Sequence, residues 1–234
     1  MPRVAVIETG PVVDTLQARY GTYPDMFHRL LEDADPSIET EAISVINGEP
    51  LPDPAAFDGY LITGSRYGVY EDHEWIPPLK QFVLDVRDAD RTMVGICFGH
   101  QLMAEAYGGR VEKSSKGWGL GQHTYNIEPR SWMAGSMPKV DVLALHQDQV
   151  VEAPPGAELI AGWDFCEYGG FQFGPKAVSF QFHPEFTPTF FRDLIATRRG
   201  TIIPEDIADS GVATVLDHND SGHVAKWMAE ILRN

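Results

Sequence analysis

One short segment decides the fold: Met93-Val-Gly-Ile-Cys-Phe-Gly-His-Gln-Leu102. It joins an apolar run typical of a buried strand to a run with the spacing of a helix. Gly95 and Gly99 lie two residues before and two residues after Cys97, as in the tight strand–turn–helix geometry that exposes a nucleophile. The segment therefore predicts that Cys97 lies at the carboxyl edge of an α/β sheet, where such sheets bind ligands.

A position at the start of a helix gives Cys97 the surroundings of a nucleophile. The positive end of a helix favours a thiolate, and the backbone N–H of Phe98 can donate to an oxyanion. The alternative is that Cys97 is a small buried hydrophobic residue, the usual fate of a free cysteine. The flanking glycines favour the nucleophile, whereas Cys166 lies in a strand-like run without such neighbours, and we expect it to serve packing alone.

Outside this segment, apolar and amphipathic stretches alternate through the first half of the chain. Strands are predicted at 4–7, 38–45, 59–63 and 92–96, and helices at 24–33, 75–88 and 98–107. Shorter β-rich runs follow at 122–127, 140–145, 157–161, 166–173 and 177–182, and helical runs at 188–197, 205–216 and 221–232. The pattern predicts one α/β domain over 1–234, with a parallel sheet covered by helices on both faces and antiparallel strands attached to it. We expect its core at about 1–198 and a helical tail at about 199–234.

The composition excludes several classes of protein. The chain has 234 residues, of which 43% are hydrophobic and 22% charged, as is usual for globular domains. A net charge of −16 disfavours nucleic acids and anionic membranes as partners. Two cysteines are too few for a disulfide scaffold, and no apolar run approaches the ~20 residues that span a bilayer. The first residues lack the features of a signal peptide, which predicts a cytoplasmic protein.

A second segment, Phe180-Gln-Phe-His-Pro-Glu-Phe186, supplies a candidate base. It follows an apolar strand, as Cys97 does. Pro184 favours an extended conformation at His183, and residues two apart in an extended segment share a face. Glu185 can therefore hold one ring nitrogen of His183 and fix its tautomer. A surface His-Pro turn is the alternative, and the cysteine upstream favours the base.

Together, Gly95-Ile-Cys-Phe-Gly-His-Gln101 and His183-Pro-Glu185 resemble the class I, triad-type glutamine amidotransferases. The resemblance implies a flavodoxin-like three-layer sandwich with a mainly parallel central sheet. It also implies that the side-chain amide of glutamine is hydrolysed through a thioester, with no cofactor and no metal. Cys97 would be the nucleophile, His183 the general base and acid, and Glu185 the carboxylate that orients the histidine.

The same resemblance implies where the substrate binds. Gln101 and the segment His146, Gln147 and Asp148 match positions that hold the amino-acid end of the substrate. A strand-end turn with Asp148 as a local cap is the alternative for that segment. Gly64, Ser65 and the amide of Phe98 would hold the oxyanion. The loop Ile62-Thr-Gly-Ser-Arg-Tyr-Gly68 has Ser65 where the family usually has a second glycine.

The segment His146-x-Asp148 resembles the branch of the family that includes GMP synthetases. Those proteins continue into an ATP-pyrophosphatase domain, whereas this sequence contains no glycine-rich phosphate loop. Thr63-Gly-Ser65 and Tyr70-Glu-Asp-His-Glu-Trp75 are instead similar to stand-alone members, including γ-glutamyl peptidases. Such peptidases need no ammonia acceptor.

Four functional hypotheses follow from these residues. The leading one is a hydrolase that cleaves the γ-amide of glutamine or of a γ-glutamyl compound, a small-molecule substrate, and whose partner could be a separate synthetase subunit. A γ-glutamyl peptide hydrolase without amide transfer would use the same catalytic residues. A non-enzymatic redox sensor at Cys97 is disfavoured by the pair His183 and Glu185. A metal site formed by Cys97, His100 and His183 is the weakest, because it lacks a fourth ligand and the spacing typical of zinc.

Overall fold

A nine-stranded mixed sheet forms the middle of the protein, and a two-stranded ribbon accompanies it. The structure is a computed structural model and describes residues 1–135 and 137–234. In chain order its elements are β1 (Arg3–Glu8), α1 (Asp14–Tyr20), α2 (Tyr23–Ala34), β2 (Glu39–Ser44), a short 3-10 helix (Val45–Asn47), β3 (Gly59–Ile62), α3 (Ile76–Asp88), β4 (Thr92–Ile96), α4 (Phe98–Ala106), β5 (Arg110–Lys113), β6 (Gly119–Ile127), β7 (Lys139–His146), β8 (Asp148–Glu152), β9 (Glu158–Gly162), β10 (Gly170–Phe173), β11 (Ala177–Phe180), α5 (Pro188–Arg198), α6 (Glu205–Ala213) and α7 (Ser221–Leu232).

The strand order of the large sheet is β2-β1-β3-β4-β11-β10-β9-β6-β7. The first five strands pair in parallel, in the order typical of flavodoxin-like folds. The remaining pairings are antiparallel, as is the ribbon of β5 and β8. The predicted α/β fold, with its parallel sheet and added antiparallel strands, is confirmed. Its topology brings the carboxyl ends of β1, β3, β4 and β11 to one edge.

Helices cover the parallel strands on both faces. Val4 and Val6 of β1 pack with α2 and α7, while the alternate residues Ala5 and Ile7 pack with α3 and α4. This alternation follows from the two-residue repeat of a strand, and strands buried on both faces are apolar throughout. Trp227 of α7 is fully buried in the first of these clusters. The result is the predicted three-layer sandwich.

A third apolar cluster joins the antiparallel part of the sheet to the remaining helices. Leu120 of β6 and Leu143 of β7 pack with residues of α1, α5 and α6. This packing brings the residues before α1 and the carboxyl end of α5 close to the edge of the sheet where Cys97 lies. No helix among the described residues has the length and apolar character needed to cross a membrane.

The predicted strand at 166–173 is wrong in its first half. Cys166 lies in the loop between β9 and β10, because the N–H of Trp163 donates to its carbonyl oxygen at 2.9 Å and closes a tight turn. The thiol is nevertheless buried, as expected of a packing residue, and burial raises its pKa to about 12. The helix predicted at 205–216 ends earlier, at Ala213.

Candidate active site

Cys97 occupies a strained turn between β4 and α4. Its φ and ψ are 52° and −98°, and a positive φ is costly for a residue with a side chain. A Cβ atom on Gly95 would lie 2.6 Å from the carbonyl oxygen of Gly99, and one on Gly99 would collide with the carbonyl oxygen of Ile62. Both glycines of the motif are therefore required by the close approach of backbone to backbone.

His183 follows β11, which is the neighbour of β4 in the sheet. Its N–H donates to the carbonyl oxygen of Leu143 at 2.8 Å, and its Nδ1 lies 2.7 Å from Oε1 of Glu185. The ring of Phe186 stacks on the imidazole at 4.1 Å and an interplanar angle of 3°. The side chains of His183 and Glu185 are only 6% and 1% exposed. With Nδ1 held by the carboxylate, Nε2 is the nitrogen available to a neighbouring group.

Gly64 shows how close Cys97 and His183 lie. A Cβ atom on Gly64 would be 2.8 Å from Cε1 of His183 and 3.5 Å from Cβ of Cys97. Any side chain at this position would push the imidazole away from its place. The structure thus brings Cys97, His183 and Glu185, which are distant in sequence, together beside the backbone of Gly64.

The charges of Glu185 and Cys97 affect the pKa of His183. Burial alone would lower the pKa of His183, but the negative charges of Glu185 and Cys97, and their hydrogen bonds to the ring, raise it from 6.5 to about 10. Negative charge on its two neighbours therefore favours the protonated form of the His183 imidazole.

The loop after β3 is fixed by hydrogen bonds to the end of β1. The hydroxyl of Thr9 donates to the carbonyl oxygens of Thr63 and Gly64 at 3.0 and 3.2 Å. The hydroxyl of Ser65 donates to the carbonyl oxygen of Thr9 at 2.6 Å and accepts from the N–H of Tyr67 at 3.2 Å. Neither Gly64 nor Ser65 has a positive φ. The loop therefore takes an ordinary backbone conformation that side chains stabilise.

Gln101 ties α4 to the segment after β7. Its Nε2 donates to the carbonyl oxygen of Asp148 at 2.9 Å and to Oε1 of Gln181 at 3.1 Å. Nδ1 of His146 lies 3.2 Å from the same carbonyl oxygen, and burial lowers the pKa of His146 to about 3. The carboxylate of Asp148 accepts a hydrogen bond from the hydroxyl of Tyr70 at 3.0 Å. These contacts fix the segment 146–148 beside Cys97.

A cleft of about 640 Å³ opens above Cys97. The predicted site residues Ser65, Cys97, Gln101, His146, Gln147 and Asp148 line it. Beneath this surface, Gly64, His183 and Glu185 are buried. The side chain of Phe98 is also fully buried, with its ring 5.5 Å from that of Trp75, and its N–H, at the first position of α4, has no intrahelical acceptor.

Several residues of the cleft carry no local sequence signal. Lys113 and Trp118 contribute to the walls, and so do the segment 11–14 and the end of α5 with Arg198. They belong to separate elements that only the folded chain brings together. A charged or aromatic residue at the end of a helix or in a loop is common, so the sequence pattern could not distinguish these residues.

His100 is directed away from Cys97. Its two ring nitrogens lie 2.8 Å from the hydroxyl of Ser179 and 3.0 Å from the carbonyl oxygen of Tyr168. Burial lowers its pKa to about 3. Within the described residues, no group of three or more His, Cys, Asp and Glu side chains has a metal-binding arrangement. The hypothesis of a metal shared by Cys97, His100 and His183 is wrong for this structure.

Comparison with known proteins gives consistent results. The family model described as glutamine amidotransferase class-I matches residues 37–199. The chain is 30% identical to γ-glutamyl peptidase 4 of Arabidopsis thaliana over 92% of this chain and 87% of that protein. It is 32% identical to a glutamine-hydrolyzing GMP synthase subunit of Methanosarcina acetivorans over 76% of this chain and 89% of that protein. A glutamine amidotransferase structure from Thermotoga maritima superimposes with a TM-score of 0.75 at 18% identity, covering 100% of this chain and 99% of that one.

Proposed function

The chain belongs to the class I glutamine amidotransferase family, and on this basis we propose that it hydrolyses the γ-amide bond of glutamine or of a γ-glutamyl compound through a thioester on Cys97. The family and the relatives indicate an enzyme that acts on a small molecule. One observation carries the proposal of mechanism. A cysteine with a φ of 52° lies beside a buried histidine whose Nδ1 is 2.7 Å from a carboxylate, beneath an open cleft.

In the proposed first step, the thiolate of Cys97 attacks the γ-carbonyl carbon of the substrate and a carbon–sulfur bond forms. The carbonyl oxygen becomes an oxyanion, and the N–H groups of Ser65 and Phe98 donate to it. The imidazolium of His183 gives its Nε2 proton to the leaving nitrogen as the carbon–nitrogen bond breaks. Ammonia or an amine departs, and the acyl group remains on sulfur.

In the second step, water attacks the thioester. Neutral His183 takes a proton from the water as its oxygen bonds to the acyl carbon. The carbon–sulfur bond then breaks, which restores the thiolate of Cys97 and the imidazolium of His183 and releases the γ-carboxyl product. Glu185 keeps the imidazole in one tautomer through both steps and stabilises its charged form.

The amino-acid end of the substrate binds on the wall formed by the segment 146–148. We assign Asp148 to the α-ammonium group, because it is a carboxylate on the cleft wall and, among the residues that the structure describes, only the hydroxyl of Tyr70 donates a hydrogen bond to it. His146 and Gln147 complete this wall. Gln101 supports it from behind, since both hydrogen bonds of its Nε2 go to protein oxygens.

A γ-glutamyl peptidase is the form of this activity that the similarity favours. The match to γ-glutamyl peptidase 4 extends over 92% of the chain. The similarity to the GMP synthase subunit of Methanosarcina acetivorans supports a second candidate, in which the ammonia passes to a separate synthetase. Both candidates require the same chemistry at Cys97.

Substitutions at two of the proposed catalytic residues, Cys97 and Glu185, test this function. Cys97→Ala should reduce the release of glutamate from glutamine and from γ-glutamyl-alanine to background, because no nucleophile remains. Glu185→Gln should retain turnover about 10²- to 10⁴-fold below wild type. Glu185 orients His183 and stabilises its charged form without contacting the substrate, so its loss leaves the nucleophile and the base in place. Steady-state measurement of glutamate, with thermal unfolding as a check on folding, gives both values.

Cys166→Ala is the matched control, because it removes the other buried thiol, which does not line the cleft. It should keep wild-type turnover. Undiminished glutamate release by Cys97→Ala would contradict the proposed mechanism.

A further inference from the structure

The cleft differs in charge from the rest of the protein. Over the whole chain, acidic residues outnumber Lys and Arg by 34 to 18. The cleft is instead lined by equal numbers of basic and acidic side chains, namely Arg66, Lys113 and Arg198 against Asp14, Glu71 and Asp148. The cleft therefore lacks the excess negative charge of the rest of the protein, and it repels an anionic group less than the remaining surface does.

Arg198 is the basic residue whose position the fold fixes most firmly. It is the last residue of α5, and its carbonyl oxygen accepts N–H groups from 201, 202 and 203 at 3.1 to 3.2 Å. Its side chain is half-buried and lines the cleft, where no carboxylate among the described residues forms an ion pair with it. Arg199 contrasts with it, because its guanidinium pairs with Asp209 at 2.7 Å and with Glu205 at 3.0 Å.

A row of aromatic rings connects Arg198 with the histidine. The ring of Phe186 lies 4.1 Å from that of His183, and the ring of Tyr23 stacks on Phe186 at 6.0 Å. Burial raises the pKa of Tyr23 to about 12, with the charge of Arg198 opposing this rise and that of Glu185 adding to it. The hydroxyl of Tyr23 is therefore near both Glu185 and Arg198, and Arg198, which lines the cleft, lies on the side where these rings pack against His183.

The chemistry of the proposed reaction decides which part of the substrate meets this wall. A general acid must be within hydrogen-bond reach of the atom that it protonates, so the leaving nitrogen lies next to His183. Whatever is attached to that nitrogen extends along the histidine side of the cleft. A guanidinium without a protein carboxylate is well suited to bind a carboxylate there, through two parallel hydrogen bonds.

We propose that Arg198 binds the carboxylate of the leaving group, so that the enzyme prefers γ-glutamyl amino acids or peptides with a free carboxyl terminus to glutamine and to neutral γ-glutamyl amides. This inference rests on the proposed hydrolysis at Cys97 and adds the class of leaving group. It makes Arg198 a specificity-determining residue, because it acts on a part of the substrate that does not react.

Pairs of substrates that differ only in the terminal charge test the proposal. The first pair is γ-glutamyl-alanine and γ-glutamyl-alaninamide, and the second is γ-glutamyl-alanyl-glycine and its terminal amide. A charged hydrogen bond of the usual strength predicts that wild-type kcat/KM favours the acid by about 10- to 100-fold in at least one pair. Arg198→Gln should remove this preference by lowering kcat/KM for the acid alone. Arg199→Gln is the matched control, since it removes the same charge from the next residue and should keep the preference.

The outcomes separate the two proposals. Cleavage of acids and amides with equal kcat/KM, a preference that persists in Arg198→Gln, or efficient cleavage of glutamine alone would overturn the role of Arg198 and leave hydrolysis at Cys97 standing. Cleavage of none of these compounds by wild type would instead remove the proposed function, and the inference with it. A preference lost in both arginine variants would indicate a general effect of net charge and would also overturn the assignment.

Discussion

The backbone of Cys97 is strained at the turn between β4 and α4. Gly95 and Gly99 remove side chains that would block the turn, yet the residue between them keeps its side chain at a φ of 52°. A glycine there would relieve the strain at once. Strain retained at a reactive residue indicates selection for the position of its side chain. This position places the thiol at the start of α4 and at the base of the cleft.

His183 provides a test at the level of a single titrating group. We expect its imidazole to lose its proton near pH 10, because the negative charges of Glu185 and Cys97 outweigh the effect of burial. Glu185→Gln removes the charge that has the larger effect on this pKa and should lower the titration midpoint of His183 by at least one pH unit. NMR of the ring carbon–hydrogen signals as a function of pH measures both midpoints.

The raised pKa of His183 also makes the free energy of unfolding depend on pH. The pKa of His183 is higher in the folded protein than its ordinary value of 6.5. The stabilisation is therefore complete below about pH 6.5 and is lost as the pH rises towards 10. If the imidazole of His183 titrates near pH 6.5 in the folded wild type, and Glu185→Gln leaves this midpoint unchanged, the proposed effect of Glu185 and Cys97 on the pKa of His183 is contradicted.

Among the elements, the loop after β3 shows that a serine can restrict a loop through a hydrogen bond of its hydroxyl group and not through its backbone angles. The serine at position 65, in place of a second glycine, suggests a loop restricted by its backbone angles. Ser65 instead has an ordinary φ, and the restriction comes from its hydroxyl, which bonds the carbonyl oxygen of Thr9 at 2.6 Å. A side chain that bridges two strand ends can hold the proposed oxyanion donor in place as a restricted backbone would.

Ser65→Ala tests this role of the hydroxyl. We expect kcat to fall about 2- to 10-fold, the value of one hydrogen bond, with little change in KM, because the loop that holds the oxyanion loses its tie to β1. Steady-state kinetics with γ-glutamyl-alanine measures the two constants. Ser210→Ala is a suitable control, since its hydroxyl also donates to a backbone carbonyl, that of Ile207 at 3.0 Å, but outside the cleft. A fall in kcat of the same size in the control, or none in Ser65→Ala, would refute the assignment.

The elements also show what a sequence pattern can predict. Strand β4 and helix α7 lie where the apolar spacing places them, at Thr92–Ile96 and Ser221–Leu232, because each buries a complete face. Helix α1 has seven residues and one buried apolar side chain. Strand β5 buries only Val111. Such elements depend on pairing and packing with distant partners, so their own sequence carries little signal.

The same distinction applies to the site. Cys97 and the pair His183 and Glu185 follow directly after buried strands, and the parallel sheet brings the ends of β4 and β11 together. Their proximity could therefore be predicted from local motifs and from the rule that parallel strands end at one edge. Arg198 reaches the cleft only through the packing of α5, which no local motif describes.

At the scale of the whole molecule, the proposed machinery comes from one chain. The thiol, the imidazole, the carboxylate and both proposed oxyanion donors lie on elements that share the large sheet or follow its strands. The loop that carries Ser65 is tied to Thr9, and the segment 146–148 is tied to Gln101. The hydrogen bonds that hold this loop and this segment therefore lie within the chain.

We therefore predict that the purified chain hydrolyses γ-glutamyl-alanine without ATP and without a partner. The reason is that hydrogen bonds within the chain already fix the proposed oxyanion loop, so we expect catalysis without a synthetase to order it. Glutamate release by the purified protein, with and without ATP, measures this, and Cys97→Ala supplies the background. If wild type stays at that background and gains activity only when a co-purifying synthetase is added, the loop must depend on the partner after all, and the ammonia-transferring candidate would replace the stand-alone peptidase.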